Sequence, residues 1–346
     1  MHIVGTHGVP AKYGGFETLA EYLCRHLSEV YDITVYCNYY KYLKKKDFYY
    51  GAKLKYVRLE ASGLQGIIYD AITYVFACIS ADVILYLSPV GSGIITPIKF
   101  LFRKKVIVNH GGLNEWEREK LNWFKKKWAK CNHYFAAKYS DVNIADNELY
   151  KMSLHKNFGA EAIVISYGGD HVKNISVEDE QLVQKYPFVK GKYAVSVSRA
   201  QIDNNLHIVL EAFEQYEKCK LVLISNWQVS AYGKMLYEKY KNKRNYILLD
   251  AIYDKIELDF IRGNAFIYIH SHSRCGTAPS LLEAMSLSLP IFSFDVPINR
   301  EVTRNKAIYF SNSEDLINSI KKLDNREIIN NKKDIYLIAS SNYTWD

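Results

Sequence analysis

Short runs of aliphatic and β-branched residues alternate with longer stretches of helical periodicity along this chain, and the alternation is played through twice. In the first half, His2–Gly5, Ile33–Cys37, Lys55–Leu59, Val83–Leu87, Val106–Val108, Val142–Ala145 and Ala162–Ile165 read as strands. After the first of these, Phe16–Leu27 sets Phe16, Leu19, Leu23 and Leu27 on one helical stripe. In the second half the expected strands are Tyr193–Val197, Lys220–Ile224, Tyr246–Leu249, Ala265–Ile269 and Pro290–Phe294. Helices are expected between them over Asn205–Gln215, Ala231–Tyr240, Lys255–Arg262 and Ser280–Ser286. Parallel neighbours need a crossover of a dozen or more residues, so this spacing indicates parallel sheets covered on both faces. The pattern predicts two doubly wound α/β domains, residues 1–168 and 169–346. The boundary falls at Tyr167-Gly168-Gly169-Asp170, followed by the polar, acidic stretch Ser176–Gln184. Two such domains imply a cleft, with ligands at the carboxyl ends of strands.

A length of 346 residues suits that division, and 49% hydrophobic residues are enough for two cores and exclude wholesale disorder. With 18 Gly and 7 Pro the chain is neither collagen-like nor low-complexity. No apolar run is expected to reach the ~18–20 residues that span a bilayer. The best run, Ala71 to Ala81, is flanked by Asp70 and Asp82, and no signal sequence is expected ahead of the first strand. Six scattered cysteines without a Cys-x-x-Cys pair argue against a zinc ribbon or disulfide scaffold and fit a reducing cytoplasm. The net charge of +8 is uneven, with +7 in residues 1–168 and +1 in residues 169–346.

Two segments carry chemistry. The first strand runs into Gly5-Thr6-His7-Gly8-Val9-Pro10-Ala11-Lys12-Tyr13-Gly14-Gly15-Phe16-Glu17. Paired glycines at a strand-to-helix turn let backbone N–H groups approach an anion, although a tight turn with no ligand has the same appearance. The spacing is not Gly-x-Gly-x-x-Gly, and the second strand ends at Tyr36-Cys37-Asn38 without a ribose-binding acid, so a nicotinamide enzyme is disfavoured. A phosphate loop of the nucleoside-triphosphatase type is absent. In the second half, Val195-Ser196-Val197-Ser198-Arg199 ends a strand in an arginine suited to a diphosphate or to a surface ion pair. The segment from His270 to Met285 then passes from strand through a small-residue loop to a helix with Pro279 in its first turn. Amides from Thr277 to Leu281 would form an anion site. Glu283 could accept hydrogen bonds from vicinal ribose hydroxyls or simply complement the helix dipole. His270 and His272 share a strand face, but no third ligand of suitable spacing is evident, so no metal is expected. Cys275 has no evident base and reads as inert.

Arg199, the loop at Gly276, and Leu281-Leu282-Glu283-Ala284-Met285 followed by Leu289-Pro290 resemble retaining glycosyltransferase family 4, of GT-B fold. Gly8-x-Pro10-x-x-Tyr13-Gly14-Gly15-Phe16-Glu17-Thr18 is similar to a bacterial subgroup described as rhamnosyltransferases of capsule and exopolysaccharide assembly. So are Asn109-x-x-Gly112-Leu113-x-Glu115-Trp116-x-Arg118-x-Lys120 and Tyr167-Gly168-Gly169-Asp170. The resemblance spans almost the whole chain. It implies that residues 1–168 form the acceptor-side domain and residues 169–346 the nucleotide-sugar domain. It assigns His110, Arg199 and Glu283 as catalytic. Gly14, Gly15, Arg199, Asn204, Cys275, Gly276, Thr277, Ala278, Ser280, Leu281 and Glu283 would hold the donor. Glu283 matches the second acid of the family's Glu-seven-residues-Glu motif and would hold the ribose. Two positions depart from the pattern: Cys275 stands where the first acid belongs, and Asn204 where a lysine partners the arginine. The family also usually continues, beyond the point matching Asp346, into a helix that crosses back onto the first domain.

The implied reaction moves a hexose, rhamnose or another, from a nucleotide-diphosphate sugar to a lipid-linked glycan acceptor with retention at the anomeric carbon. No cofactor or metal is expected. Alanine at Arg199 or Glu283 is expected to cripple transfer with the fold intact. Residues 39–50 and 121–130 interleave lysines with interfacial aromatics and suit an anionic membrane surface, or else form a solvated basic face. The expected place is therefore cytoplasmic, peripheral on the inner face of the membrane. The competing readings are a GT-B nucleotide-sugar epimerase and a non-catalytic nucleotide-sugar or glycan-binding subunit. Nucleic acid is not an expected partner, since no nucleic-acid motif is present.

Overall fold

The computed structural model describes residues 1–346 except Tyr13, Leu113, Arg118, Glu119, Lys120 and Asp346, together with the side chains of Glu115 and Gln215. The motif positions Tyr13, Leu113, Arg118 and Lys120 thus lie outside the described residues. The chain divides into two compact units, Met1–Ser166 and Tyr167–Asp346.

The first unit is built on an eight-stranded sheet: β1 (His2–Val4), β2 (Thr34–Asn38), β3 (Phe48–Tyr49), β4 (Ala52–Val57), β5 (Val83–Leu87), β6 (Lys105–Asn109), β7 (Val142–Ala145) and β8 (Ile163–Val164). Their order is β3-β4-β2-β1-β5-β6-β7-β8. Every pair is parallel except β3 with β4. That antiparallel edge is absent from the sequence expectation, and β4 starts at Ala52 rather than Lys55. The cause is a two-residue turn, Tyr50-Gly51, with φ of 45° and 82°. Positive φ at both positions is what a tight hairpin needs, and the tyrosine in place of the usual asparagine or glycine hides the signal.

The helix Gly63–Ser80 corrects the expectation about apolar runs. Its 18 residues have a mean hydropathy of 1.3, long and apolar enough by length and composition to cross a membrane. Asp70, taken as the end of the run, lies inside the helix, where burial pushes its carboxyl up to about 8. It is therefore mostly uncharged at neutral pH and does not interrupt the apolar character. Tyr69, Tyr74, Ala77 and Cys78 of this helix are core residues. Length and composition of this kind are shared by core helices.

The second unit carries a six-stranded, all-parallel sheet of β9 (Tyr193–Val197), β10 (Lys220–Ser225), β11 (Tyr246–Asp250), β12 (Ile267–His270), β13 (Ile291–Phe294) and β14 (Ile308–Phe310). The order is β11-β10-β9-β12-β13-β14. The three-residue β14 was too short to stand out between polar neighbours. Continuous burial of β9 residues Tyr193–Ser196 and of all of β12 follows from helices on both faces. The helix Ala231–Tyr240 starts where expected because Ser230 accepts a hydrogen bond from the Gly233 amide at 2.9 Å. A cap of this kind is worth about 1 kcal/mol.

Candidate functional site

In the second sheet β9 and β12 are neighbours, yet the chain leaves β9 toward β10 and β11, and leaves β12 toward β13 and β14. Between two strands that diverge in this way lies the topological switch point, where loops part and leave a crevice beyond the carboxyl ends. Arg199 follows β9 by two residues, and the segment Ser271–Ala278 follows β12. The two loops are stitched together. Asn204 Nδ2 donates to the Arg199 carbonyl at 2.7 Å, and Ser271 Oγ donates to the Asn204 carbonyl at 2.5 Å. Asn205 Nδ2 donates to the Ser271 carbonyl at 3.1 Å, and the Ser273 amide to the Asp203 carbonyl at 3.0 Å. Asn204 is buried, so the residue standing in the lysine's place braces the arginine's own backbone.

The helix Pro279–Ser286 begins with Ala278 as its N-cap, no side-chain cap and Pro279 in the first turn. Thr277 and Ala278 are buried, while Gly276 and Ser280 are half-buried. One part of the expected anion site is corrected. The Leu281 amide donates to the Ala278 carbonyl at 3.0 Å, and the Leu281 side chain is in the core. The first turn closes tightly and uses that donor itself.

Glu283 sits in a network that the sequence did not reveal. One oxygen accepts from His171 Nε2 at 3.0 Å, and the other pairs with Arg262. Arg262 is fully buried and also meets Asp259 at 3.2 Å. Trp345 Nε1 lies 2.9 Å from His171 Nδ1, and the Trp345 amide donates to Asp170 at 3.1 Å. Burial would raise the Glu283 carboxyl, but Arg262 and His171 outweigh it and hold it at about 2. The group is a fixed carboxylate. Two oxygens offer about four lone-pair sites, so acceptor capacity remains for hydroxyl donors. Gly169 belongs to the same corner. A Cβ there would stand 2.6 Å from the Leu282 carbonyl, so only glycine lets the 167–170 segment lie against the helix. The adjacency of His171 to the Tyr167–Asp170 motif was the available signal for it. Arg262 offered none beyond its i,i+3 spacing from Asp259.

The histidine pair requires a second correction. Ligand atoms of His270, His272 and Cys275 all lie within 4.8 Å of one another. A third candidate ligand is present because the loop after β12 folds back on the strand end, which linear spacing does not show.

In the first unit the glycine loop follows β1, at the switch point between β1 and β5. Gly5 has φ of 79°, and a Cβ there would stand 1.9 Å from the Leu87 carbonyl oxygen, so glycine is required. Gly14 is the N-cap of the helix Gly15–Leu27. The buried carboxylates Glu17 and Glu21 reach back into the loop. Glu17 accepts from the His7 amide at 2.9 Å and from Thr6 Oγ1 at 3.1 Å, and Glu21 accepts from the Ala11 amide at 2.8 Å. These loop donors are held by the chain's own acids, and a Cβ at Gly14 would stand 3.5 Å from the Glu17 carboxylate.

His110 is a core residue. It is 0% exposed, with Nε2 at 2.8 Å from Asn143 Oδ1 and Nδ1 at 3.2 Å from His133 Nδ1. Burial pushes it down to about 4, so it is neutral near pH 7. Both ring nitrogens are engaged within the unit. The structure thus gathers Arg199, Asn204, Cys275, Gly276, Thr277, Ala278, Ser280 and Glu283 in the second unit, and places Gly14, Gly15 and His110 in the first.

Two parallel-sheet α/β units, each with a ligand-type loop at its switch point, define the GT-B fold. Residues 178–337 match the glycosyl transferases group 1 domain, and residues 1–170 match a domain of unknown function, DUF1972. The chain is a glycosyltransferase. It is similar in fold to HepE of Anabaena, solved with UDP and glucose, at a TM-score of 0.76 and 14% identity over 99% of this chain and 95% of that one. Sucrose-phosphate synthase from Thermosynechococcus elongatus gives a TM-score of 0.80 at 11% identity, over 99% and 94% of the two chains. WaaG, a glycosyltransferase involved in lipopolysaccharide biosynthesis, gives 0.73 at 12% identity, over 100% and 96%. No curated protein sequence matches the chain.

Proposed function

We propose that this glycosyltransferase moves a hexose, rhamnose or another, from a nucleotide-diphosphate sugar to a lipid-linked glycan of a surface polysaccharide, with retention. The observation that carries the donor half of this reading is the bonding of the loop after β9, which bears Arg199, to the loop after β12, which leads through Gly276 into the helix of Glu283. A diphosphate leaving group develops negative charge. The Arg199 guanidinium and loop amides, brought against that charge, would stabilise the transition state more than the ground state. Glu283, ionised at every physiological pH, accepts from the ribose hydroxyls. Arg199 and the loop amides offset charge on the diphosphate. HepE, of the same fold, was solved with UDP, which supports a nucleotide diphosphate as the common element. His110 acts from the core as a positioning residue, because its ring has no nitrogen left for a sugar hydroxyl.

Thermal melts with uridine, thymidine, guanosine and adenosine diphosphates test the donor site. One base is expected to raise the melting temperature clearly, since a ligand at 100 times its Kd adds about 2.7 kcal/mol of stability. If none of the four does, the donor assignment fails.

The acceptor half rests on the surface of the first unit. Phe124 is 75% exposed, Leu43 95% and Leu64 83%, with Trp123, Trp128, Tyr40 and Leu101 also exposed. Lys127 lies 4.0 Å from the Trp123 ring centroid, and Lys45 lies 3.7 Å from that of Tyr39. Such cation–aromatic clusters fit a peripheral position on the inner face of a membrane, at roughly 1 kcal/mol per basic residue near anionic lipid. Vesicle sedimentation is expected to show binding to anionic vesicles that weakens as salt is raised. Equal binding to neutral vesicles would remove this part of the proposal.

A further inference from the structure

The carboxyl end of β12 carries a second kind of chemistry. His270 is the last residue of the strand and is 1% exposed. Neither of its ring nitrogens has a hydrogen-bond partner among the described residues. A buried imidazole with both nitrogens unsatisfied is costly, and each such group calls for an explanation. His272 lies two residues on, and its ring centroid stands 4.3 Å from that of His270. Cys275 completes a set of three ligand atoms within 4.8 Å of one another. Cys275 and Cys131 are the two cysteines that are not fully buried.

The surroundings hold this set in place. Asn299, itself buried, accepts from Cys275 Sγ at 3.9 Å. Its Nδ2 donates to the His272 carbonyl at 2.9 Å and to the Phe294 carbonyl at 2.9 Å. One side chain therefore fixes both the thiol and the backbone of the second histidine, as outer partners of metal ligands do. Zinc bonds of about 2.0–2.3 Å in a tetrahedron set ligand atoms roughly 3.3–3.8 Å apart. The three atoms, within 4.8 Å of one another, exceed that spacing by at most about 1 Å on its upper side.

We propose that His270, His272 and Cys275 form a three-ligand site for a thiophilic divalent cation of the zinc class. Two imidazoles and a thiolate suit zinc and reject magnesium, which prefers oxygen ligands. The site gives His270 the partner it lacks. Three protein ligands leave a fourth position for an exchangeable ligand, the arrangement of zinc sites that act on a small molecule rather than on the fold. Because Cys275 adjoins Gly276, a phosphate oxygen of the donor is the natural fourth ligand. That last clause rests on the donor-site reading above, whereas the metal site itself does not.

The test uses the full chain, reduced and stripped by a chelator, titrated with Co²⁺ alone. One equivalent is expected to bind with a thiolate-to-cobalt charge-transfer band and to be displaced by Zn²⁺. Cys275→Ser is expected to abolish the band and weaken binding more than about tenfold, and His272→Gln to weaken binding similarly while keeping the band. Cys131→Ser is expected to leave both unchanged. A band that survives Cys275→Ser, or no stoichiometric binding in the wild-type chain, overturns the site. UDP is then added to the cobalt-loaded protein. A shifted band supports phosphate as fourth ligand. An unchanged band with a raised melting temperature overturns that clause alone. No melting shift with any nucleotide diphosphate in the metal-free chain overturns the donor-site reading and leaves the metal result standing.

Discussion

Arg199→Ala is expected to lower the rate of sugar transfer about 10²–10³-fold while leaving the melting temperature near that of the wild type. Removing one preorganised donor from a developing anion typically costs about 2.7–4 kcal/mol of barrier. The fold should tolerate the change, because the contact that braces this loop is made by the Arg199 carbonyl to Asn204 Nδ2, which alanine retains. The missing lysine at Asn204 makes the effect larger, since no second cation of that pair shares the charge. Arg199→Lys restores charge but not the planar fork, and is expected to recover only part of the lost rate. Transfer is measured at saturating donor, alongside a thermal melt of each variant. A variant lacking the guanidinium that turns over at the wild-type rate defeats the diphosphate role.

Glu283→Ala is expected to lose activity and stability together. This revises the expectation, drawn from sequence, that the fold would stay intact. Arg262 is fully buried, and breaking a buried pair from one side typically costs about 3–5 kcal/mol. Glu283→Gln keeps the shape and one acceptor and separates the two roles. If the carboxylate holds ribose, the glutamine variant has a raised KM for donor even where it is fully folded. If the carboxylate is only structural, KM is unchanged at temperatures below the melt. The pH dependence carries the same signature. Glu283 is held at about 2, below its ordinary value near 4.3. Its contribution to stability is therefore complete above that ordinary value and is lost as pH falls toward 2. Acid melts of the wild type should show this loss, and Glu283→Gln should flatten it.

The strand–helix rhythm made most of the fold legible, because burial on both faces leaves an unmistakable apolar run. β5, β7 and β9 lie at the residues where they were read, Val83–Leu87, Val142–Ala145 and Tyr193–Val197. What escaped was short or chemically disguised. β3 is two residues ahead of a turn that uses Tyr50 at positive φ, and β14 is three residues among polar neighbours. Asp70 concealed an 18-residue apolar helix, since a formal charge in the sequence is not a charge in the fold. For the candidate site, Arg199 and Glu283 could be named from strand ends and helix starts. His171 and Arg262, and Asp259 behind Arg262, could not, because the two that meet Glu283 come from 112 and 21 positions away along the chain. The same folding-back of the loop brought Cys275 to the two histidines.

The bracing around Asn204 has a consequence for how the arginine loop behaves before any ligand arrives. Hydrogen bonds tie the segment after β9 to itself and to the segment after β12. The entropy of ordering this loop is therefore lost during folding rather than at encounter, and incoming molecules meet a guanidinium that is already anchored at its backbone. Restoring a lysine at position 204 would add charge but cut that anchor, so the extra cation would come at the expense of rigidity.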